Sequence, residues 1–185
     1  TGDVPIAALG ASALLLPAAA NRPATAQDAA EIPPQEPGVS VRLYQLDRSL
    51  SQLRELIPGQ TPNRAWIAPV VDLTDAVDVE GPLSFGEIRE NFLLTITGWI
   101  RIDEPGDWRF RLWSDDGSRM SLAGSALIDN DGLHGAQPAS GRRELEAGLH
   151  PFGIEMFEAT GDAMVRLEWM RPGTDTWETI PAEFL

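Results

Sequence analysis

Hydrophobic and polar positions alternate most regularly from Trp108 to Trp113. Trp108, Phe110 and Leu112 fall on one side there, and Arg109, Arg111 and Trp113 on the other. A period of two residues is that of a strand with one buried face. The same alternation runs from Phe92 to Ile102, where Phe92, Leu94, Ile96, Gly98, Ile100 and Ile102 share a face opposite Leu93, Thr95, Thr97, Trp99 and Arg101. Glu104-Pro105-Gly106-Asp107 separates these two runs, and its turn-forming residues predict a hairpin between them. After Trp113 comes Ser114-Asp115-Asp116-Gly117-Ser118, whose short polar side chains bond their own backbone and whose glycine permits a sharp bend. Arg119 to Ala123 then reads as a strand, Gly124-Ser125 as a turn, and Ala126 to Ile128 as its partner, ending at a second acidic corner, Asp129-Asn130-Asp131-Gly132.

The remaining signals are shorter. Val39 to Leu46 alternates as a strand. Asp47 or Ser49 can cap a short helix with Leu50, Leu53, Leu56 and Ile57 on one face, stopped by Pro58-Gly59. Gln60 to Gly81, interrupted by Pro62 and Pro69, reads as loop with one short strand at Val70 to Leu73. Arg142 to Glu146 is a short strand. Phe152, Ile154 and Met156 mark the inward face of another, Val165, Leu167 and Trp169 of the next, and Trp177 to Ile180 is the last. About nine short strands joined by Gly, Pro and Asp turns predict an all-β, antiparallel β-sandwich with one short helix.

Ahead of the sandwich the pattern breaks. Val4 to Ala20, VPIAALGASALLLPAAA, is an uncharged apolar run containing Ile6, Leu9, Leu14, Leu15 and Leu16. Pro5 suits a first helical turn and Pro17 stops it. The dozen residues between span about 18 Å as helix, short of a hydrocarbon core of about 30 Å. The run is expected to persist as an extended apolar N-terminal arm that anchors the protein in a membrane or a hydrophobic partner. Two alternatives stay open: a signal-peptide core, with Ala24-Thr25-Ala26 as a cleavage-like site, and an arm packed on its own domain. Pro23, Pro33, Pro34 and Pro37 make the next stretch a linker. The expected division is therefore an apolar segment at 1–20, a proline-rich linker at 21–38 and a β-sandwich at 39–185.

Composition narrows the function. With 28 acidic residues against 14 basic ones and a net charge of −14, the chain is no nucleic-acid binder, which requires clustered Lys and Arg. Without cysteine it has no disulfide, thiolate or soft-ligand metal chemistry. Its two histidines, His134 and His150, stand in no His-x-x-x-His or Glu-x-x-His pattern. No nucleophile elbow is present. A glycosidase needs two carboxylates across a cleft, which adjacent aspartates on one turn do not supply.

What remains is the pair of acidic corners. Asp115, Asp116, Asp129 and Asp131, with backbone carbonyls, are candidate ligands for calcium, a cation that takes about six to eight oxygens. Asn130 and His134 are candidate ligand contacts beside them, and Trp113, facing away from the core set, is the aromatic best placed to stack on a sugar ring or anchor a partner. The bland reading is that Asp115 and Asp116 cap backbone N–H groups in a tight turn.

The order and spacing of TGWIRIDEPGDWRFRLWSDDGSRMSLAGSALIDNDG, LEAGLHPFGIEMFEATG, LEWMRPG and IPAEF, preceded by a strand with Tyr44, resembles the β-sandwich family named after the amino-terminal portion of anthrax protective antigen, the PA-fourteen module. The likeness covers about Val39 to Leu185. It implies a sandwich without catalytic residues of its own, found in toxins, adhesins and glycosidases and beside secreted or membrane-associated dehydrogenases, often binding carbohydrate. In yeast flocculation adhesins of the family, two adjacent aspartates joined by a cis peptide hold a calcium that also touches sugar hydroxyls, and Asp115 and Asp116 match that pair. Those adhesins complete the site with a later variable loop, for which Asp129 to His134 and Gly135 to Gly141 are analogues by position.

Two functions are therefore expected. In the first, the protein is a non-catalytic accessory subunit, exported to the periplasmic or extracellular face, whose apolar N-terminus plugs it into a larger membrane-associated assembly of protein subunits, such as a bioenergetic complex. In the second, it is a calcium-assisted carbohydrate-binding module.

Overall fold

The computed structural model describes residues 37–56, 59–76 and 80–185, within a compact unit that spans Glu36–Leu185. The expected apolar anchor, including Ile6, Leu9, Leu14, Leu15 and Leu16, lies outside the described residues, as does most of the expected linker. No described helix is long and apolar enough to cross a membrane.

The described chain is an antiparallel β-sandwich. One sheet has six strands in the order β2-β1-β4-β9-β6-β7: β1 Val39–Gln45, β2 Arg64–Ala68, β4 Phe92–Ile102, β6 Ser118–Leu122, β7 Ser125–Asn130 and β9 Gly148–Glu158. The other runs β11-β10-β5-β8, with β5 Gly106–Asp115, β8 Gln137–Leu145, β10 Met164–Met170 and β11 Glu178–Thr179, and β3 Asp72–Thr74 also pairs with β10. The alternating faces read from the sequence meet between the sheets. Val41, Leu43, Leu94, Ile96, Ile100, Ile154 and Met156 from one sheet pack against Trp108, Phe110, Leu112, Val165, Leu167 and Trp169 from the other. At the centre, Trp108 and Trp169 lie 4.8 Å apart between ring centroids, close enough for a tilted aromatic pair.

Three expectations change. Strands β4 and β5 do not form a hairpin: β4 pairs with β1 and β9, whereas β5 pairs with β10 and β8. The Glu104–Asp107 corner carries the chain from one sheet to the other, so the two apolar faces stack across the core instead of lying side by side. Nor is there a helix after Asp47. Residues 47–56 are irregular, with bends at 47–48 and 51–52, and Ile57 and Pro58 lie outside the described residues. Leu50, Leu53 and Leu56 still share one side, packed on a small outer cluster of Tyr44, Leu46, Leu93, Phe157 and Ala159. The polar groups that would have capped the helix are taken by distant residues: Ser49 Oγ bonds the Asn91 side chain, and the Leu53 N–H donates to Asp131 Oδ1 at 2.8 Å. An isolated helix of eight residues is too short to resist such competition. Among the described residues the helical segments are two 3₁₀ turns, Gly81–Leu83 and Ala182–Phe184. Finally, Arg64–Ala68, read as loop, is the edge strand β2, and the short strand expected at Val70 to Leu73 begins at Asp72.

One chain crossing sets up the site. At Ser114–Ser118 the chain leaves β5 in one sheet and enters β6 in the other, and Gly117 sits at the tightest point. A Cβ there would lie 2.6 Å from the Gly132 backbone nitrogen, 2.7 Å from the Gly132 oxygen and 2.6 Å from Phe157 Cε1. Because two of those contacts are backbone, Gly117→Ala should lower stability by about 1–3 kcal/mol, the usual range for overpacking. Gly135→Ala, whose Cβ would have its nearest contact at 4.0 Å, should stay within about 0.5 kcal/mol of the parent. Urea-unfolding midpoints check both, and equal midpoints for the two variants would contradict this packing.

Candidate functional site

The peptide bond between Asp115 and Asp116 is cis, the arrangement that the sequence resemblance implies for the sugar-binding adhesins. Asp115 closes β5 on its outward side and Asp116 begins the crossing. Asp116 is held firmly: its Oδ1 accepts the His134 N–H and its Oδ2 the Ala159 N–H, both at 3.0 Å. These donors belong to two segments distant in sequence and not to the turn itself, and each oxygen keeps a second lone pair for another partner. Below the corner, Ser114 Oγ and Ser118 Oγ lie 2.7 Å apart, and the Asn130 amide donates to Ser114 Oγ at 3.0 Å and to the Gln137 carbonyl at 3.2 Å.

A third carboxylate completes the corner. Glu158, at the end of β9, places a carboxylate oxygen so that one ligand atom each from Asp115, Asp116 and Glu158 lie within 4.8 Å of one another. Glu158 is 0% exposed, and neither of its side-chain oxygens has a hydrogen-bond partner. Burial, the largest cause, and then the negative charges of Asp116 and Asp115 push its carboxyl up to about 8; the Asp116 N–H pulls weakly the other way without reaching hydrogen-bond geometry. Asp115 is also raised, first by burial and then by Asp116, against the lowering effects of the Ala136 N–H and His134.

The structure does not assemble the four-aspartate set expected from the sequence. Asp129 is exposed and lies 3.7 Å from the Arg119 guanidinium. Asp131 accepts from Arg119 Nη2, from the Leu53 N–H and from the Gly132 N–H. Arg119, outward on β6 and opposite Asp129 on β7, pairs with both side chains. Asn130 is 8% exposed and its amide is committed below the corner, so it braces the turn. His134 stands closer, with its backbone N–H on Asp116 and its ring nitrogens 3.0 Å from the Gly135 oxygen and 2.8 Å from the Asn130 oxygen. The analogue loop from Gly135 to Gly141 is mostly strand, since β8 starts at Gln137. Trp113 is outward on β5, two residues before Asp115, with its Nε1–H donating to Glu168 Oε2 at 3.0 Å.

Glu158 is the residue that sequence reasoning missed, although a signal was there. It follows Phe152, Ile154 and Met156 in phase, so an acid occupies the inward parity of a strand, where an unpaired charge is costly.

Calcium fits this donor set in kind. The three side chains offer hard oxygen ligands, and the orphaned Glu158 oxygens lack the partner that a cation would supply.

No curated protein sequence matches the chain. Among solved structures, it is similar to an anti-sigma factor domain-containing protein from Clostridium clariflavum, at 22% identity and a TM-score of 0.62, covering 81% of this chain and 47% of that one. The chain thus spans about half the length of that relative. It is similar to the PA14 sugar-binding domain of an RTX adhesin, at 19% identity and a TM-score of 0.65, covering 80% of this chain and 96% of the other. It is also similar to the A domain of Epithelial Adhesin 6 from Candida glabrata, solved in complex with Galb1-3GlcNAc, at 12% identity and a TM-score of 0.61 over 84% of this chain and 88% of that one. At these identities the likeness is one of fold. The sequence profile of the PA14 domain matches residues 35–181, most of the chain, and the protein belongs to the PA14 domain family.

Proposed function

We propose that this domain is a non-catalytic carbohydrate-binding module whose ligand is held with the help of a calcium ion at the Asp115-Asp116 corner. The observation that carries the reading is the buried Glu158 carboxylate, without a hydrogen-bond partner and beside two further carboxylates. Two of the structural relatives, a sugar-binding adhesin domain and an adhesin solved with a disaccharide, lend it support.

Bound there, calcium would supply positive charge and open coordination positions for a pair of sugar hydroxyls. The protein's own contribution is placement. The amide donors of His134 and Ala159 fix Asp116, the Asn130 amide and the two serines brace the turn, and Glu158 closes the site from beneath. Asp115, at the outer end of β5, is the member that meets solvent, and it is the one to change. Asp115→Asn should remove calcium-dependent retention on a glycan array while leaving the thermal melt without calcium close to that of the parent. An array on which the parent shows no calcium-dependent signal would end the reading.

Glu158 predicts a pH dependence. Its folded-state value of about 8 lies above the ordinary 4.5, so between those limits the folded protein keeps a proton that the unfolded chain has lost. The unfolded state then binds fewer protons, and stability falls as pH rises through that window. In calcium-free buffer the melting temperature should drop from about pH 5 to about pH 8, less steeply in Glu158→Gln. Excess calcium should restore more stability at the upper end than at the lower. Parallel declines in parent and variant would contradict this role for Glu158.

The accessory-subunit reading, with the protein exported and held in a membrane-associated assembly, rests on the apolar run at Val4 to Ala20, outside the described residues. It carries its own outcome: deleting residues 1–20 should move the protein from the membrane or assembly fraction to the soluble one on fractionation. A truncated protein that stays in place would count against it.

A further inference from the structure

Gly153 sits in the middle of a central strand that does not need a glycine. It lies on β9 between Thr97 of β4 and Ser121 of β6, in unbroken register with both, and its φ is not left-handed. A Cβ there would meet Ser121 Oγ at 3.2 Å and the Ile96 oxygen at 4.0 Å. The Ser121 hydroxyl rotates, and its bond to the Gly153 oxygen is a long one of 3.4 Å, so it gives way to a methyl. Glycine inside a strand costs stability, and without a bulge it marks a place where a ligand or another backbone comes close. Among the described residues no other backbone does so.

Gly153 is the low point of a groove of about 420 Å³ on the outward face of the six-stranded sheet, within the range of ligand clefts, about 300–1,000 Å³. Its floor is one row of short side chains, Thr97, Gly153, Ser121 and Ala126, across β4, β9, β6 and β7. That row runs about 14 Å, at about 4.8 Å per strand. The next outward row, Thr95, Glu155, Arg119 and Asp129, is a taller polar wall. Arg119 pairs with Asp129 and Asp131, and the exposed Glu155 carboxylate has no ion pair among the described residues. On the other side of the floor stands Trp99, 43% exposed and opposite Pro151. Charge on this face cancels: by strand parity Arg42, Arg101 and Arg119 face outward with Glu155 and Asp129, and Asp131 reaches Arg119 from the loop after β7. Three of each sign favour a ligand without net charge. A flat floor between an aromatic ring and mixed donors and acceptors suits a ligand with apolar faces and hydroxyl edges. Peptide fits less well, because an extended peptide gains affinity from main-chain pairing at a sheet edge, and a sheet face offers it only side chains.

We propose that this groove binds a neutral, ribbon-like glycan without calcium: the flat face of one sugar ring rests on the floor at Gly153, its hydroxyls meet Glu155, Arg119 and Thr95, and a neighbouring ring lies against Trp99. The groove shares no residue with the carboxylate corner, so the two stand or fall independently. Cellohexaose, a β-linked chain with flat faces, is the probe, titrated into the full chain with EDTA present. Maltohexaose, the same sugar in a curled chain, and polygalacturonate, a charged one, are the comparisons. Cellohexaose binding should be insensitive to added salt, persist in Asp115→Asn, and fall at least about tenfold, equivalent to about 1.4 kcal/mol, in Gly153→Ala. That variant should melt no lower than the parent. Glu155→Ala, at an exposed position, should weaken binding as well. No binding in EDTA, undiminished binding by either groove variant, a Gly153→Ala melt well below the parent's, or maltohexaose or polygalacturonate binding as tightly as cellohexaose would each overturn the proposal.

Discussion

Three carboxylates crowd one corner of this sandwich, and the innermost has no donor to face. An ionised Glu158, fully buried and beside Asp115 and Asp116, would carry an uncompensated charge out of water. Two ways of relieving that cost are open to the molecule: a proton on Glu158 or a cation among the three. Burial and the two neighbouring charges favour the proton at neutral pH when no cation is present. A cation would take over the same task and leave the corner charged and able to bind a further ligand.

The fold places the corner by crossing between sheets. Strand β5 ends in one sheet and β6 begins in the other, and Gly117 lets the crossing pass close to the turn at Gly132 and the Phe157 ring. The outer end of β9, in the same sheet as β6, brings Glu158 underneath. Asp116, through its two amide hydrogen bonds, ties the crossing both to the 131–136 loop and to the residue after Glu158. Position and chemistry are coupled here, because the contacts that brace the turn also hold its oxygens together.

Much of this was legible in the sequence. The alternation in Phe92–Ile102, Trp108–Trp113 and Phe152–Met156 identified strands and their inward faces, and SDDG identified the corner. Turn residues alone do not say whether two strands pair or stack, so Glu104–Asp107 read as a hairpin although it joins two sheets. The three leucines after Ser49 lie together as their spacing suggests, but on the outside of a sheet and in irregular chain, because Asn91 and Asp131 claim the groups a helix would have used. Asp129 and Asp131 are candidate ligands by sequence, and the structure pairs both with Arg119, an outward residue on β6 that their spacing does not reveal. Glu158 lies more than 40 residues from Asp115 in sequence, and only the pairing of β9 with β6 and β4 brings it to the corner.

The most direct test is a crystal structure of the domain grown with calcium or a lanthanide, with anomalous scattering locating the ion. The account predicts one ion at the corner, with oxygens of Asp115 and Glu158 at about 2.3–2.6 Å. An ion bound elsewhere, or a corner without one while Glu158 stays protonated at saturating cation, would contradict it.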